Sequence, residues 1–244
     1  MPQLSWLAPG QPFPPSSQAL TDPDGLLAAG ADLAPATLLR AYRQGIFPWF
    51  SPADPILWWS PDPRLVIIPE QFHLARRLRR TLRRTDWQFS LNQAFAEVVC
   101  NCATSNRRDQ QGTWISPAMA AAYQRLHQLG HAHSIEVWQQ DKLVGGVYGV
   151  RIGAVFFGES MFSRCRDASK AALATLCQLH RPLRLALLDC QVESAHLLTL
   201  GAVSWSRQQF EQALARLTES DTAPWPVTAV MPRSQLIEQL EDTL

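Results

Sequence analysis

The hydrophobic pattern is densest in the middle of the chain. Three apolar stretches, His133–Gln139, Leu143–Ile152 and Ala154–Phe162, read as strands. Gln140-Asp141 is a hairpin-like connection between the first two, and Gly153 joins the second to the third. Asp167 stands where it would cap a helix running to about His180, and Leu183–Val192 is a further apolar strand ending in Asp189-Cys190-Gln191. A short helix, Glu193–Leu200, stops at Gly201, and Gln208–Leu217 is again helical. Upstream, Ser116-Pro117 opens a helix whose Met119, Tyr123, Leu126 and Leu129 recur at helical spacing. Asn92–Ala103 predicts a helix with Phe95, Val98, Val99 and Cys102 inward, followed by a polar loop, Ser105–Thr113. Leu65–Ile68 and Trp87–Ser90 read as short strands around a helix, His73–Arg84, in which Leu74, Leu78 and Leu82 form a narrow stripe.

The N-terminal quarter has a different texture. Residues 1–30 read as irregular, broken by Pro9-Gly10 and Pro14-Pro15. Pro35 opens a helix with Leu38, Leu39 and Tyr42 on one face, closed by Gly45. The aromatic- and proline-dense run from Ile46 to Pro63 predicts a rigid, turn-rich layer. A boundary near Asp62–Pro63 divides the chain into 1–62 and 63–244. The class is α+β, and the order strand–strand–helix–strand–helix is compatible with an N-acyltransferase-type sheet.

Composition changes this picture at two points. Net charge is only +1, yet Arg64 to Arg108 holds nine arginines against Glu70, Asp86 and Glu97. The basic charge is therefore local. Within it, Arg76, Arg77, Arg79, Arg80, Arg83 and Arg84 fill six of nine consecutive positions with no acid among them. An ordinary surface helix would interleave Glu, so a phosphate backbone is the partner this helix fits. The five cysteines match no zinc spacing and read as reduced thiols of a cytosolic protein. No run is apolar and long enough to span a bilayer.

One carboxylate stands out. Glu159 interrupts the third central strand, with Phe156, Phe157, Met161 and Phe162 apolar on both parities around it and Gly158 beside it. A charge there is costly unless paired or used. Asp189 and Gln191 share a face at the end of the later strand. If that strand lies near Glu159, an acid–acid–amide cluster forms at one sheet edge; the alternative is a strand end that simply turns polar. Trp49 and Trp114, in loops, are either core residues or stacking platforms for a base. Ser163–Lys170 lacks the glycine loop that cradles a pyrophosphate.

Several segments together resemble the bacterial leucyl/phenylalanyl-tRNA–protein transferases over nearly the full length. They are GLLAAGADL at 25–33, GIFPWFSPADPILWWSPDPR at 45–64, GTWIS at 112–116 and HQLGHAHSIEV at 127–137. LVGGVYG at 143–149, GESMFSR at 158–164, ASK at 168–170 and DCQV at 189–192 continue the match. The resemblance implies a small N-terminal domain and a C-terminal domain like the GNAT-type N-acetyltransferases, without coenzyme A, other cofactor or metal. It implies transfer of Leu or Phe, sometimes Met, from aminoacyl-tRNA to an N-terminal Arg or Lys of a protein, which marks that protein for the N-end rule pathway. A cytoplasmic, monomeric enzyme is expected.

By the same resemblance Asp189 orients Gln191, which assists the attacking amine, and Glu159 lies in the acceptor site. Trp49 and Trp114 surround the terminal adenosine, with Tyr42 and Tyr123 nearby. Phe156, Met161 and Leu188 wall the amino-acid pocket, and Ser163 joins the substrate contacts. Arg76, Arg80, Arg83 and Arg84 meet the acceptor stem. Two other readings stay open: an acyl-coenzyme N-acyltransferase, and an RNA-binding module without catalysis.

Overall fold

The computed structural model describes residues 4–105, 114–220 and 224–241, so most of the expected polar loop, 106–113, lies outside the described residues. Two sheets organise the chain. The first has four short strands, β1 Ser5–Leu7, β2 Leu26–Gly30, β3 Phe47–Pro48 and β4 Leu57–Trp59, in the order β1-β2-β4-β3. Helix α1, Pro35–Arg43, lies between β2 and β3 in sequence. The expectation of irregular structure over residues 1–30 is therefore corrected. Strands of two to five residues are too short to show alternation; pairing creates them, not propensity.

The second sheet has eight strands: β5 Arg64–Ile67, β6 Gln88–Leu91, β7 Ala132–Gln139, β8 Lys142–Ile152, β9 Val155–Ser163, β10 Leu187–Gln191, β11 Val203–Trp205 and β12 Met231–Pro232. Their order is β11-β5-β10-β9-β8-β7-β6-β12. β7, β8 and β9 form the antiparallel meander that the apolar pattern predicts, and β10 returns parallel to β9. The helices are α2 Arg76–Arg84, α3 Phe95–Thr104, α4 Pro117–Gln128, α5 Ala168–Gln178, α6 Ala195–Leu198, α7 Arg207–Leu217 and α8 Arg233–Glu241. The fold is α+β, a small N-terminal four-stranded sheet beside a larger eight-stranded mixed sheet with helices on both faces.

Both faces of the large sheet are covered, which is why β8 is buried at almost every position. One core cluster joins α1, α3, α4 and α7 with the small sheet, through Leu38, Val98, Tyr123, Phe210 and Trp58. The other packs α5 and α8 on the opposite face, through Ala171, Leu176 and Leu236. Gly145 lets α5 come this close, because a Cβ there would meet the Cβ of Ala168 at 2.6 Å.

Four boundaries differ for local reasons. The helix expected from His73 begins at Arg76, after Ala75 in extended conformation. The helix expected from Asn92 begins at Phe95, because Asn92 adopts φ 57° and its side chain accepts from Ser134 N–H at 3.0 Å. Strand β10 is shorter than Leu183–Val192, since residues 180–184 form turns. Asp167 occupies the N-cap position of α5 in the left-handed region and caps nothing with its side chain; it pairs with Lys170 at 2.9 Å instead. The hydroxyl of Ser163 accepts from the N–H of Ser169 at 3.2 Å in its place.

Candidate active site

Strands β9 and β10 pair only from Leu187–Val155 to Asp189–Phe157, well before β9 ends at Ser163. Each strand carries a β-bulge where they part. On β9, Tyr148 faces Ser160 while the next residue of β8, Gly149, faces Gly158, so Glu159 is the extra residue. On β10, Asp189 faces Val66 and Gln191 faces Leu65, so Cys190 is extra. Bulges re-aim side chains and end pairing. They also resolve the odd parity around Glu159: Phe157 and Phe162 both face the α1/α4 side, and Phe156 and Met161 both face α5, because one residue is inserted between the pairs.

The inserted Glu159 is 8% exposed and points at the α1/α4 side. Tyr42 from α1 donates to Oε1 at 2.6 Å, Tyr123 from α4 donates to Oε2, and the two hydroxyl oxygens lie 2.9 Å apart. Burial pushes the Glu159 carboxyl up to about 7, against the lowering effect of the two tyrosine hydrogen bonds. Burial and the neighbouring carboxylate push both phenols well above their usual value, so they stay protonated. The tyrosines are fully buried, and their hydroxyls hold Glu159.

Asp189 is equally enclosed, at 1% exposure, and its partner is Arg64. The guanidinium meets both carboxylate oxygens, Nε to Oδ1 at 2.8 Å and Nη2 to Oδ2 at 2.7 Å, and Nη1 donates to the Gly45 carbonyl at 3.0 Å. The rings of Phe47 and Phe210 flank it, with centroids at 4.8 and 4.6 Å. Arg64 is the residue that sequence reasoning missed. In the sequence it reads as the start of the basic run, whereas its fork joins β5 to β10 and fixes Asp189, and its third donor reaches Gly45 just before β3.

Asp189 in turn fixes Gln191, through the backbone: Gln191 N–H donates to Asp189 Oδ1 at 2.9 Å. Gln191 takes φ 66°, a conformation a non-glycine residue adopts only when its surroundings hold it there. Its Nε2 lies 3.5 Å from Glu159 Oε1. Glu159, Asp189 and Gln191 thus meet at the mouth of the β9–β10 split. Gly158 makes room there, since a Cβ on it would come within 3.2 Å of the Asp189 carbonyl.

The remaining expected residues lie around this centre. Phe156 and Leu188 are buried and Met161 half-buried, all in the α5-side core. They do not share a face with Glu159, so its immediate neighbours are not one continuous pocket wall. Trp49 is 39% exposed and its ring is 5.5 Å from that of Trp59, whereas Trp114 is half-buried against the α1/α4-side core. Ser163 is exposed, with its hydroxyl engaged at the start of α5. All six arginines of α2 are exposed, and among the described residues none of them is in a salt bridge.

Comparison with known proteins places these features in a family. A family model described as the leucyl/phenylalanyl-tRNA protein transferase matches residues 66–215, and one for the N-terminal domain of the same transferase matches residues 31–62. A leucyl/phenylalanyl-tRNA–protein transferase of Alcanivorax borkumensis is 54% identical over 226 residues, covering 91% of this chain and 93% of that relative. One of Aromatoleum aromaticum is 53% identical over 221 residues, with the same coverage of 91% and 93%. Among solved structures, a ribosomal-protein-alanine N-acetyltransferase from Brucella melitensis biovar Abortus 2308 matches with TM-score 0.33 and 14% identity, over 59% of this chain and 96% of that chain, too distant to carry an argument. Identity above one half along nine-tenths of the length leaves no other assignment: the chain belongs to the leucyl/phenylalanyl-tRNA–protein transferase family.

Proposed function

We propose that the protein transfers leucine or phenylalanine from aminoacyl-tRNA to the N-terminal Arg or Lys of a polypeptide. The observation that carries this reading is the Gln191 carboxamide. Its backbone is pinned to Asp189 and its NH2 faces Glu159. That leaves the side-chain carbonyl oxygen to accept from an incoming amine. The donor ester is already activated, so no covalent enzyme intermediate is required. The protein has to hold ester and amine together, take a proton from the ammonium and offset charge on the ester oxygen.

The split between β9 and β10 is the entry for the donor amino acid. A Leu, Phe or Met side chain passing through it would meet Phe156, Met161 and Leu188 on the α5 side. Trp49 supplies an exposed aromatic face for the terminal adenine, with Trp114 as the second ring, and the exposed Ser163 borders the donor beyond the split. Glu159 supplies the negative counter-charge for the acceptor's N-terminus. Arg76, Arg80, Arg83 and Arg84 meet the acceptor-stem phosphates. The division into 1–62 and 63–244 assigns α1, with Tyr42, to a separate unit that completes the site. The product carries a bulky apolar N-terminus, the kind of mark the N-end rule pathway reads, in a monomeric cytoplasmic enzyme.

The acyl-coenzyme alternative is disfavoured by charge. The Asp167 carboxylate sits at the N-terminus of α5, where a pyrophosphate would need donors. A purely RNA-binding role would leave the Arg64–Asp189–Gln191–Glu159 chain without a use.

Two measurements bear on the reading. Offering Arg-, Lys- and Glu-initiated peptides with Leu-tRNA and Phe-tRNA should give product with the first two peptides alone; equal transfer to the Glu peptide would overturn the acceptor assignment. Arg80→Ala with Arg84→Ala should weaken tRNA binding and reduce the slope of log K against log salt by about one per arginine. An unchanged slope would place the basic interface elsewhere.

A further inference from the structure

The Glu159 cluster has three oxygen–oxygen contacts and only two phenolic protons. Tyr42 and Tyr123 each donate to one carboxylate oxygen, and their own hydroxyls lie 2.9 Å apart. A phenol has one proton to give. With Glu159 ionised, both protons point at the carboxylate and the Tyr42–Tyr123 contact has none. One added proton makes the count match. Glu159 then donates to one hydroxyl, that hydroxyl to the other, and the second back to the remaining carboxylate oxygen. Three contacts become a closed ring of three hydrogen bonds.

We propose that this ring takes up the proton lost by the attacking ammonium, with Glu159 as the general base of transfer and Tyr42 and Tyr123 as its positioning residues. The inference rests on the transferase reading above. Position supports it: Glu159 is 8% exposed while both tyrosines are at 0%, so Glu159 is the least enclosed member of the cluster. An amine bound by the Gln191 carboxamide is placed beside Glu159, because Nε2 of that carboxamide is 3.5 Å from Oε1.

The groups facing Glu159 are Tyr42 from α1, Tyr123 from α4, Tyr148 from β8 through the tyrosine pair, Gln191 and Asp189 from β10, and Arg64 from β5. The charge of Asp189 is matched by Arg64 at 2.7 Å, so the carboxylate experiences little net field from that pair. Burial raises Glu159 to about 7. An α-ammonium ionises at about 7.7–8.0, so the transfer is close to balanced.

In the balanced reaction the ammonium gives one proton to Glu159. The freed lone pair attacks the ester carbonyl carbon and the C–N bond forms. On collapse, the C–O bond to the terminal ribose breaks. The leaving oxygen takes a second proton from the new nitrogen, which gives amide and alcohol, and the proton on Glu159 returns to solvent.

The test is the pH profile of kcat/KM with charged tRNA and one acceptor peptide, for the unaltered protein, Tyr42→Phe, Tyr123→Phe and Glu159→Gln. Glu159 must be ionised to act, so activity should fall as pH drops through about 7. Each Tyr→Phe change removes a donor to the anion, raises its pKa and should move this limb to higher pH by about one unit. The acceptor's own ammonium titrates identically throughout and cannot produce that shift. Glu159→Gln should lose about 10²–10⁴-fold in rate. A uniform loss at every pH with an unmoved limb would overturn the proposal and leave the tyrosines a packing role. Should a tyrosine variant fail to fold, infrared titration of the unaltered protein against Glu159→Gln decides the point. The proposal expects a protonated-carboxyl signal titrating near pH 7 that this variant lacks, over a second one from the buried Glu136, also raised to about 7, that persists. Identical titrations would overturn it. Absence of any transfer by the unaltered protein would instead defeat the underlying reading.

Discussion

Arg64→Met is expected to destabilise the protein by about 3–5 kcal/mol, the cost of leaving a buried carboxylate unpaired. The residue is 1% exposed, and the two oxygens of Asp189 have it as their only charged partner among the described residues. Methionine fills much of the space between Phe47 and Phe210 but offers no donor to Asp189 or Gly45. Urea unfolding measures the effect as a lower midpoint with an unchanged slope. Adding Asp189→Asn should recover part of the loss, because a neutral carboxamide is cheaper to bury than a lone charge. A loss below about 1 kcal/mol would put the pair in the range of exposed ion pairs and contradict its enclosure. Transfer should fall with stability in the single variant, since Asp189 holds the backbone of Gln191.

Gln191→Ala is expected to lower kcat by about 10²–10³-fold, the usual cost of removing one positioned polar group from a reaction centre. Alanine keeps the main-chain N–H that donates to Asp189, so the bulge and the strand end should persist. KM for the charged tRNA should change little, because the side chain faces Glu159 and the amine rather than the exposed arginines of α2. Rapid-mixing turnover on matched, folded samples provides the comparison. A change of less than about threefold would remove Gln191 from the chemistry.

The large sheet was legible because its strands are buried on both faces. β7, β8 and β9 appear in the sequence as continuous apolar runs, and their boundaries differ from the expectation by a residue or two. The pair Asp189 and Gln191 was visible as two polar residues closing an apolar strand, and Glu159 as a charge inside one. What joins them was not visible. A β-bulge depends on the register of the neighbouring strand, so no pattern within β9 alone reveals that Glu159 is the inserted residue. Arg64 is 125 positions from Asp189 and opens a stretch of surface arginines, which hid the one that is buried. Tyr42 and Tyr123 are buried as helical spacing suggested, but their hydroxyls find a partner only after α1 and α4 close over β9. The strands of the small sheet failed for a plainer reason: runs such as Phe47–Pro48 are too short for any period to register.

Transfer of labelled leucine from Leu-tRNA to a peptide that begins with Arg tests the aminoacyl-transfer activity most directly. Labelled peptide in proportion to enzyme is expected with the unaltered chain, and a loss of about 10²–10³-fold with Gln191→Ala. No labelled peptide from the unaltered protein, while the tRNA remains charged, would contradict it.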